Sequence, residues 1–400
     1  MTQTTSFDFD TLIERRSTGS AKWSLYPEDV LPMWVADMDY KSPPAVLDAL
    51  RNAVDHGVFG YMMPPEALKQ SIVDRMQNRY QWTIPPESVL FVPGVMVGVN
   101  LTARAVAQDG ALLIQPPVYH PFHYTPQWSN TGKQLAPLHR VDYDDGTFTY
   151  EIDFDTLEAS ITPETRMFLL CSPHNPVGRV WRADELERIA ELCLRHDLIL
   201  CSDEIHSDLL LDGNTHTPSA LAHPSIRERT VTLIAPSKTF NVPGLSLSVA
   251  IIENPDLRQR FVQAGAGTVM MVMGDHSHPF VNMMGYIAAT AAYQHGDPWL
   301  QAALGYIQGN RDYLHTFVRE HIPQIKLARL EGTYLQWLDA RALQLPTTPK
   351  TWFVEQAKVA MNDGAMFGDE GVGHLRFNLA TNRARLEAAL NQMKTALDAR

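Results

Sequence analysis

Six short apolar runs, each bounded on at least one side by Gly, Pro, Asp or Ser, constrain this chain more than any other feature. They occupy positions 89–92, 111–114, 167–171, 198–201, 230–235 and 247–252. A short, continuously apolar run bounded by turn residues is the pattern of a strand buried on both faces, as in a parallel sheet. Between two of the runs, residues 183–197 repeat differently. Leu186, Ile189, Ala190, Cys193 and Leu194 step at helical spacing, with Asp184 and Glu185 in the first turn. Such a stripe predicts an amphipathic helix whose acidic start complements its dipole. Strand, helix and strand in succession imply βαβ units and a doubly wound, mostly parallel α/β domain.

The last third has another texture. Helical patterns cover 287–295, 299–321, 351–361 and 385–397, with strand-like pieces at 332–338 and 374–379 between them. This predicts a smaller α+β domain. A length of 400 residues suits more than one core. The expected division is therefore an N-terminal segment at 1–45 joining the small domain, a large domain at 46–285 and a small domain at 286–400. A net charge of −12 without a basic run argues against nucleic acid as a partner. No apolar stretch is long enough to cross a bilayer, so no membrane partner is expected. The first residues lack a cationic and an apolar export region. Three cysteines, Cys171, Cys193 and Cys201, are too few for a disulfide framework and fall on apolar strands or stripes, as core residues do. A cytoplasmic setting is expected.

Doubly wound sheets bind ligands outside the carboxyl ends of their strands. No Gly-x-Gly-x-x-Gly follows a strand, and no Walker pattern is present. The glycines of 368–373 precede no helix pattern and read as a loop. His276-x-His278 and His120-x-x-His123 offer no third ligand at a recognisable spacing, so no metal is expected. Three other loops remain, each directly after an apolar run: Ser172-Pro-His-Asn-Pro-Val-Gly178, Ser202-Asp-Glu-Ile-His206 and Pro236-Ser-Lys-Thr-Phe-Asn241. They bring an amide (Asn175), a carboxylate (Asp203) and an amine (Lys238) to one crevice. An amine can form a Schiff base with an aldehyde, a carboxylate can pair with a protonated ring nitrogen, and an amide can bond a phenolic oxygen. Together these groups describe a site for pyridoxal 5′-phosphate (PLP).

With those motifs in place, the chain resembles the PatB/MalY-like carbon–sulfur β-lyases, or cystathionine β-lyases, of the fold-type I PLP enzymes. The likeness runs in order through Leu31-Pro-Met-Trp-Val-Ala-Asp-Met-Asp39, His56-Gly-Val-Phe-Gly-Tyr61, Pro117-Val-Tyr-His-Pro121, the three loops, Glu331-Gly-Thr-Tyr334 and Leu375-Arg-Phe-Asn378. Lys238 resembles the Schiff-base lysine, the alternative being a solvated surface lysine. Asp203 resembles the partner of the ring nitrogen, a role compatible with an N-cap. Asn175 resembles the donor to the ring oxygen, unless it is simply an Asn-Pro turn. Tyr119 resembles the aromatic that stacks on the ring, with core packing as its rival. Gly94, Val95 and Met96 resemble the loop that cradles the phosphate, with Ser237 adding a hydroxyl. Tyr61 resembles the residue that reaches the phosphate from a second subunit, which implies a homodimer with shared sites. Aminotransferases of this fold type carry an arginine where Ser246 stands and a tyrosine where His206 stands. Both departures lean towards the lyases.

For the substrate, Arg376 resembles the residue that grips the α-carboxylate, a structural ion pair being the alternative. Trp34, Ala36 and Asp37 resemble the segment that closes over the substrate, and Tyr334 joins the same pocket. The implied reaction is α,β-elimination from an S-substituted L-cysteine. Lys238 removes the Cα proton, a thiol departs from the β-carbon, and the remainder hydrolyses to pyruvate and ammonia. Either Lys238 or Tyr119 can protonate the leaving sulfur. The alternatives are an aminotransferase using the same residues, or a protein of this fold with an added regulatory, protein-binding role.

Overall fold

In the computed structural model, which describes residues 7–273, 276–279 and 281–400, all six apolar runs fall in a single seven-stranded sheet. Its order is Val89–Val92, Ser248–Ile251, Thr230–Ile234, Ile199–Asp203, Thr165–Cys171, Ala111–Ile114 and Gly132–Leu135. Five strands, from Thr230–Ile234 to Gly132–Leu135, run parallel; Ser248–Ile251 is antiparallel to both its neighbours. Ala111–Ile114, Thr230–Ile234 and Ser248–Ile251 are buried along their whole length, as apolar runs in a covered sheet require. Gly132–Leu135 was not expected. It is an edge strand with Lys133 exposed and Gln134 half-buried on Thr162 and Thr165; the exposed lysine discourages further strand pairing, and the polar pair hides the strand from an apolar pattern search.

The predicted helix at 183–197 is Ala183–Arg195, with Leu186, Ile189, Ala190 and Cys193 buried against the sheet. Register then aligns the site. Cys171 lies opposite Asp203, and Asp203 opposite Leu233, so neighbouring strands end at one level. The short helix Pro236–Thr239 carrying Lys238 starts two residues beyond the end of its strand.

A second, six-stranded sheet holds Leu335–Asp339 and His374–Asn378 as an antiparallel pair. Lys326–Ala328 and Asn362–Asp363 flank them. The sheet is completed by His139–Asp142 and Thr147–Glu151, a hairpin from the middle of the chain. By position this hairpin belongs to 46–285; by hydrogen bonding it belongs to the second sheet. The helices Met283–His295, Asp297–His321 and Arg383–Asp398 match the expected periodic stretches. The stretch 351–361 does not stay helical. Its helical turns end at Ala357, Lys358 turns the chain with φ 57°, and Val359–Ala360 becomes a strand parallel to Leu31–Pro32. A fully buried apolar pair satisfies either element, so periodicity alone carried the helix too far.

That parallel pairing ties the N-terminal segment to the C-terminal part of the chain. Just beyond it, buried Asp39 accepts hydrogen bonds from Lys22 Nζ (3.0 Å), Trp23 Nε1 (2.9 Å) and Thr381 Oγ1 (2.8 Å). Burial pushes the Asp39 carboxyl up, but Lys22 and these bonds outweigh it and hold the group at about 2. All three cysteines are buried and unpaired. Among the described residues, no helix is long and apolar enough to cross a membrane.

Candidate active site

At the carboxyl ends of the large sheet lies a cavity of about 280 Å³. Asn175, Asp203 and Lys238, from three separate loops, all open onto it. Gly94, Val95, Met96, Tyr119, His206, Ser237 and Ala36 complete the part expected from sequence. Cys171, Ser246 and Ser248 also line it, though no motif singled them out as ligands. The signal for the two serines was their closeness to Lys238 along a chain that doubles back.

Charge in this cavity is left unbalanced. Asp203 is 2% exposed, and among the described residues its carboxylate accepts one hydrogen bond, from the Ile205 N–H at 3.1 Å. Burial pushes its carboxyl up to about 7; Glu204 adds to the rise, while the Ile205 bond and Lys238 oppose it. Lys238 Nζ donates to the Ala36 carbonyl at 2.6 Å. Burial lowers this amine to about 8, Arg376 pushes the same way, and Asp37 and Asp203 oppose. Burial takes His206 down to about 3, assisted by Lys238 and Arg376, so its imidazole is neutral at ordinary pH. Among the described residues, the His206 Nδ1 has no hydrogen-bond partner, though it is buried.

Arg376 sits on the strand His374–Asn378 and is 3% exposed. Its guanidinium donates to Asn175 Oδ1 (2.9 Å), Asn362 Oδ1 (2.7 Å) and the Trp34 carbonyl (3.3 Å), and it stands 4.9 Å from the Phe367 ring centre. All of these are neutral groups. Nε has no partner, and among the described residues no carboxylate forms a salt bridge to this cation. Burial lowers its pKa to about 10. A buried cation held only by neutral dipoles suits an incoming anion, and a guanidinium is shaped to grip a carboxylate through two bonds. Asn362, which sequence reasoning missed, comes from a two-residue strand without a distinctive pattern.

Other expected site residues take different positions. Tyr334 is fully buried, and its hydroxyl donates to the Ala36 carbonyl at 3.0 Å. Asp37 is engaged by Arg15 at 2.7 Å and Lys22 at 3.5 Å. The Trp34 indole N–H donates to the Lys22 carbonyl at 3.1 Å. Tyr119 packs edge-on to His120 and Phe122, and burial raises its phenol above the ordinary value. Tyr61 is 78% exposed and does not line the cavity. Of the two histidine pairs, His123 Nε2 lies 3.0 Å from the Phe367 carbonyl oxygen, and His120 Nδ1 is buried without a partner. The side chains of His276 and His278 lie outside the described residues. Among those described, no three His, Cys, Asp or Glu side chains converge as metal ligands.

The cavity fits a phosphorylated, cationic ring. Gly94 has φ 116° and open space where a side chain would stand, directly before the helix Val95–Val106. No side chain caps that helix, so its first N–H groups are available to an anion. The Asp203 carboxyl is of the kind that can pair with a ring nitrogen, and the Lys238 amine of the kind that can condense with an aldehyde. Fold and fittings together define a PLP-dependent enzyme of fold type I. The family profile for aminotransferases of class I and II matches residues 28–393, and the chain belongs to that family. It is 37% identical over 398 residues to cystathionine beta-lyase PatB of Bacillus subtilis (strain 168), covering 98% of this chain and 100% of that one. The crystal structure of cystalysin from Treponema denticola, which contains PLP, superposes with a TM-score of 0.90 at 34% identity, covering 98% and 99% of the two chains. The PLP-bound C–S lyase from Staphylococcus hominis gives a TM-score of 0.89 at 30% identity, covering 98% of each. The cofactor of this enzyme is PLP.

Proposed function

We propose that the enzyme is a carbon–sulfur β-lyase that eliminates a thiol from S-substituted L-cysteines, L-cystathionine among them. The observation that carries this reading is the buried Arg376 guanidinium without a carboxylate, in one network with Asn175 and beside Lys238. That arrangement suits an α-amino acid whose carboxylate supplies the missing charge. Relatives named as cystathionine beta-lyases, full-length at 30–37% identity, favour elimination as the outcome. Ser246 and His206 stand where aminotransferases of this fold type carry arginine and tyrosine, which favours the same outcome.

Arg376 holds the α-carboxylate and so fixes the Cα–H bond relative to the amine. Lys238 Nζ takes the Cα proton. PLP, when bound, supplies the electron sink for the pair left on Cα. Asp203 holds a proton on the ring nitrogen, and burial makes its carboxyl a tight partner for that cation. Arg376 occupies Asn175 Oδ1, which leaves the Asn175 amide hydrogens for the ring oxygen. Gly94, Val95, Met96 and Ser237 hold the phosphate. As the Cβ–S bond breaks, the ammonium of Lys238 or the phenol of Tyr119 protonates the sulfur. With one water consumed, the products are thiol, pyruvate and ammonia.

The active unit is a homodimer in a cytoplasmic setting. In its support, Val58, Phe59, Tyr61 and Met63 are 64%, 60%, 78% and 53% exposed, an apolar run that one chain alone leaves in water. Tyr61 of each subunit reaches the phosphate of the other. Incubation with L-cystathionine tests the activity: pyruvate appears without any added keto acid. Pyruvate or amino-group transfer that depends strictly on a keto acid would identify an aminotransferase instead.

A further inference from the structure

The segment around Ala36 is held by its carbonyl groups. Asn378 Nδ2 donates to the carbonyls of Val35 (2.5 Å) and Asp37 (2.7 Å). The carbonyl between them, Ala36, instead accepts from two donors, Lys238 Nζ at 2.6 Å and the Tyr334 hydroxyl at 3.0 Å. The chain bends tightly over Ala36, the Asp37 N–H donating to the Val35 carbonyl at 2.9 Å, and with the flanking carbonyls fixed on Asn378 the Ala36 oxygen is the one presented to the lysine. Tyr334 is 1% exposed, and burial raises its phenol far above the ordinary value, so it remains a donor at every working pH.

We propose that Tyr334 is a positioning residue for the catalytic base: it holds the Ala36 carbonyl as the fixed docking point to which the free Lys238 amine returns. The role rests on the reading of Lys238 as the base that takes the Cα proton. While Lys238 is bonded to the cofactor, Nζ has fewer hydrogens to offer, and the Tyr334 hydroxyl keeps a partner on the half-buried Ala36 oxygen. Once substrate displaces Lys238, the amine has an acceptor already in place and does not have to reorder the segment. A shared acceptor has a second effect. The Tyr334 hydroxyl draws on the same oxygen, so the carbonyl stabilises a lysine ammonium less than it would alone. Arg376 and burial also favour the neutral amine, Asp37 and Asp203 favour the ammonium, and the neutral His206 ring lies nearby.

Exchange of the Cα hydrogen of L-alanine in D2O isolates this step, because alanine has no β-leaving group. Tyr334→Phe is expected to keep PLP with an unchanged absorption spectrum and to lower the exchange rate about tenfold at saturating alanine. In the apoprotein, the reactivity of Lys238 towards acetic anhydride should titrate at higher pH in Tyr334→Phe than in the wild type. Tyr286→Phe, which removes another buried hydroxyl without a partner, should exchange at the wild-type rate. The proposal is overturned if Tyr334→Phe exchanges as fast as the wild type, if exchange falls only in step with lost PLP, or if Tyr286→Phe falls equally. If exchange depends on Tyr334 but L-cystathionine gives no pyruvate, the lyase reading fails and the positioning role stands.

Discussion

Arg179 and Arg376 are both buried arginines near Asn175, yet their surroundings are opposite. Arg179 donates two bonds to Glu185 (2.8 and 2.9 Å), one to Glu331 (2.6 Å) and one to the Tyr150 carbonyl (2.9 Å). Burial would lower its pKa, but Glu331 and Glu185 overcome that and raise it. Arg376 has amide and carbonyl oxygens only, and burial lowers its pKa to about 10. Charge that holds the fold is neutralised where it sits. On the proposed reading, the Arg376 charge is oriented by neutral groups, and its counter-ion arrives with the substrate.

The sharpest way to break that distinction is to remove the paired cation. Arg179→Ala takes the buried cation from both Glu185 and Glu331, leaving Glu185 with the exposed Arg182 guanidinium at 3.3 Å, so denaturant unfolding should show a loss of about 3–5 kcal/mol. A loss below about 1 kcal/mol would mean that the pair is structurally idle. The second test uses pH. Folding favours the protonated form of Asp203, whose carboxyl burial raises to about 7. Its contribution to apoprotein stability is therefore fully present below about pH 4 and lost as pH rises through about 7. Relative to Asp203→Asn, the wild-type apoprotein should lose up to about 4 kcal/mol across that interval. Parallel stability curves would show that Asp203 finds a partner without PLP. The smallest effect belongs to Arg376→Lys, which keeps the charge but loses the planar fork. We expect at least about a tenfold fall in kcat/KM with the cofactor spectrum unchanged, since ~1.4 kcal/mol equals one factor of ten. A variant with wild-type kcat/KM would place the carboxylate elsewhere, and one that loses PLP would make Arg376 part of the cofactor pocket.

The two arginines also mark how far sequence alone could reach. Buried strands announce themselves by unbroken apolar runs, and polar residues directly after such runs have few reasons to be there except a ligand. Asn175, Asp203 and Lys238 were legible for that reason. The polar edge strand Gly132–Leu135 and the hairpin at His139–Asp142 and Thr147–Glu151 carry no such run, because one face or one edge meets water. Val359–Ala360 was hidden inside a helical pattern, since burial sets the same residue types for both elements. Arg376 was recognisable as a candidate, but its lack of a carboxylate partner depends on strands distant in sequence. The same holds for Tyr334, whose partner is a backbone carbonyl 298 positions away.

The central claim is that the unbalanced charges at the strand ends are a PLP site organised around one amine. Borohydride reduction of the holoenzyme, followed by peptide mapping, tests it most directly. The account predicts a pyridoxyl group on Lys238, in the peptide containing Ser237-Lys-Thr-Phe-Asn241. A pyridoxyl group on any other lysine, with Lys238 unmodified, would contradict it.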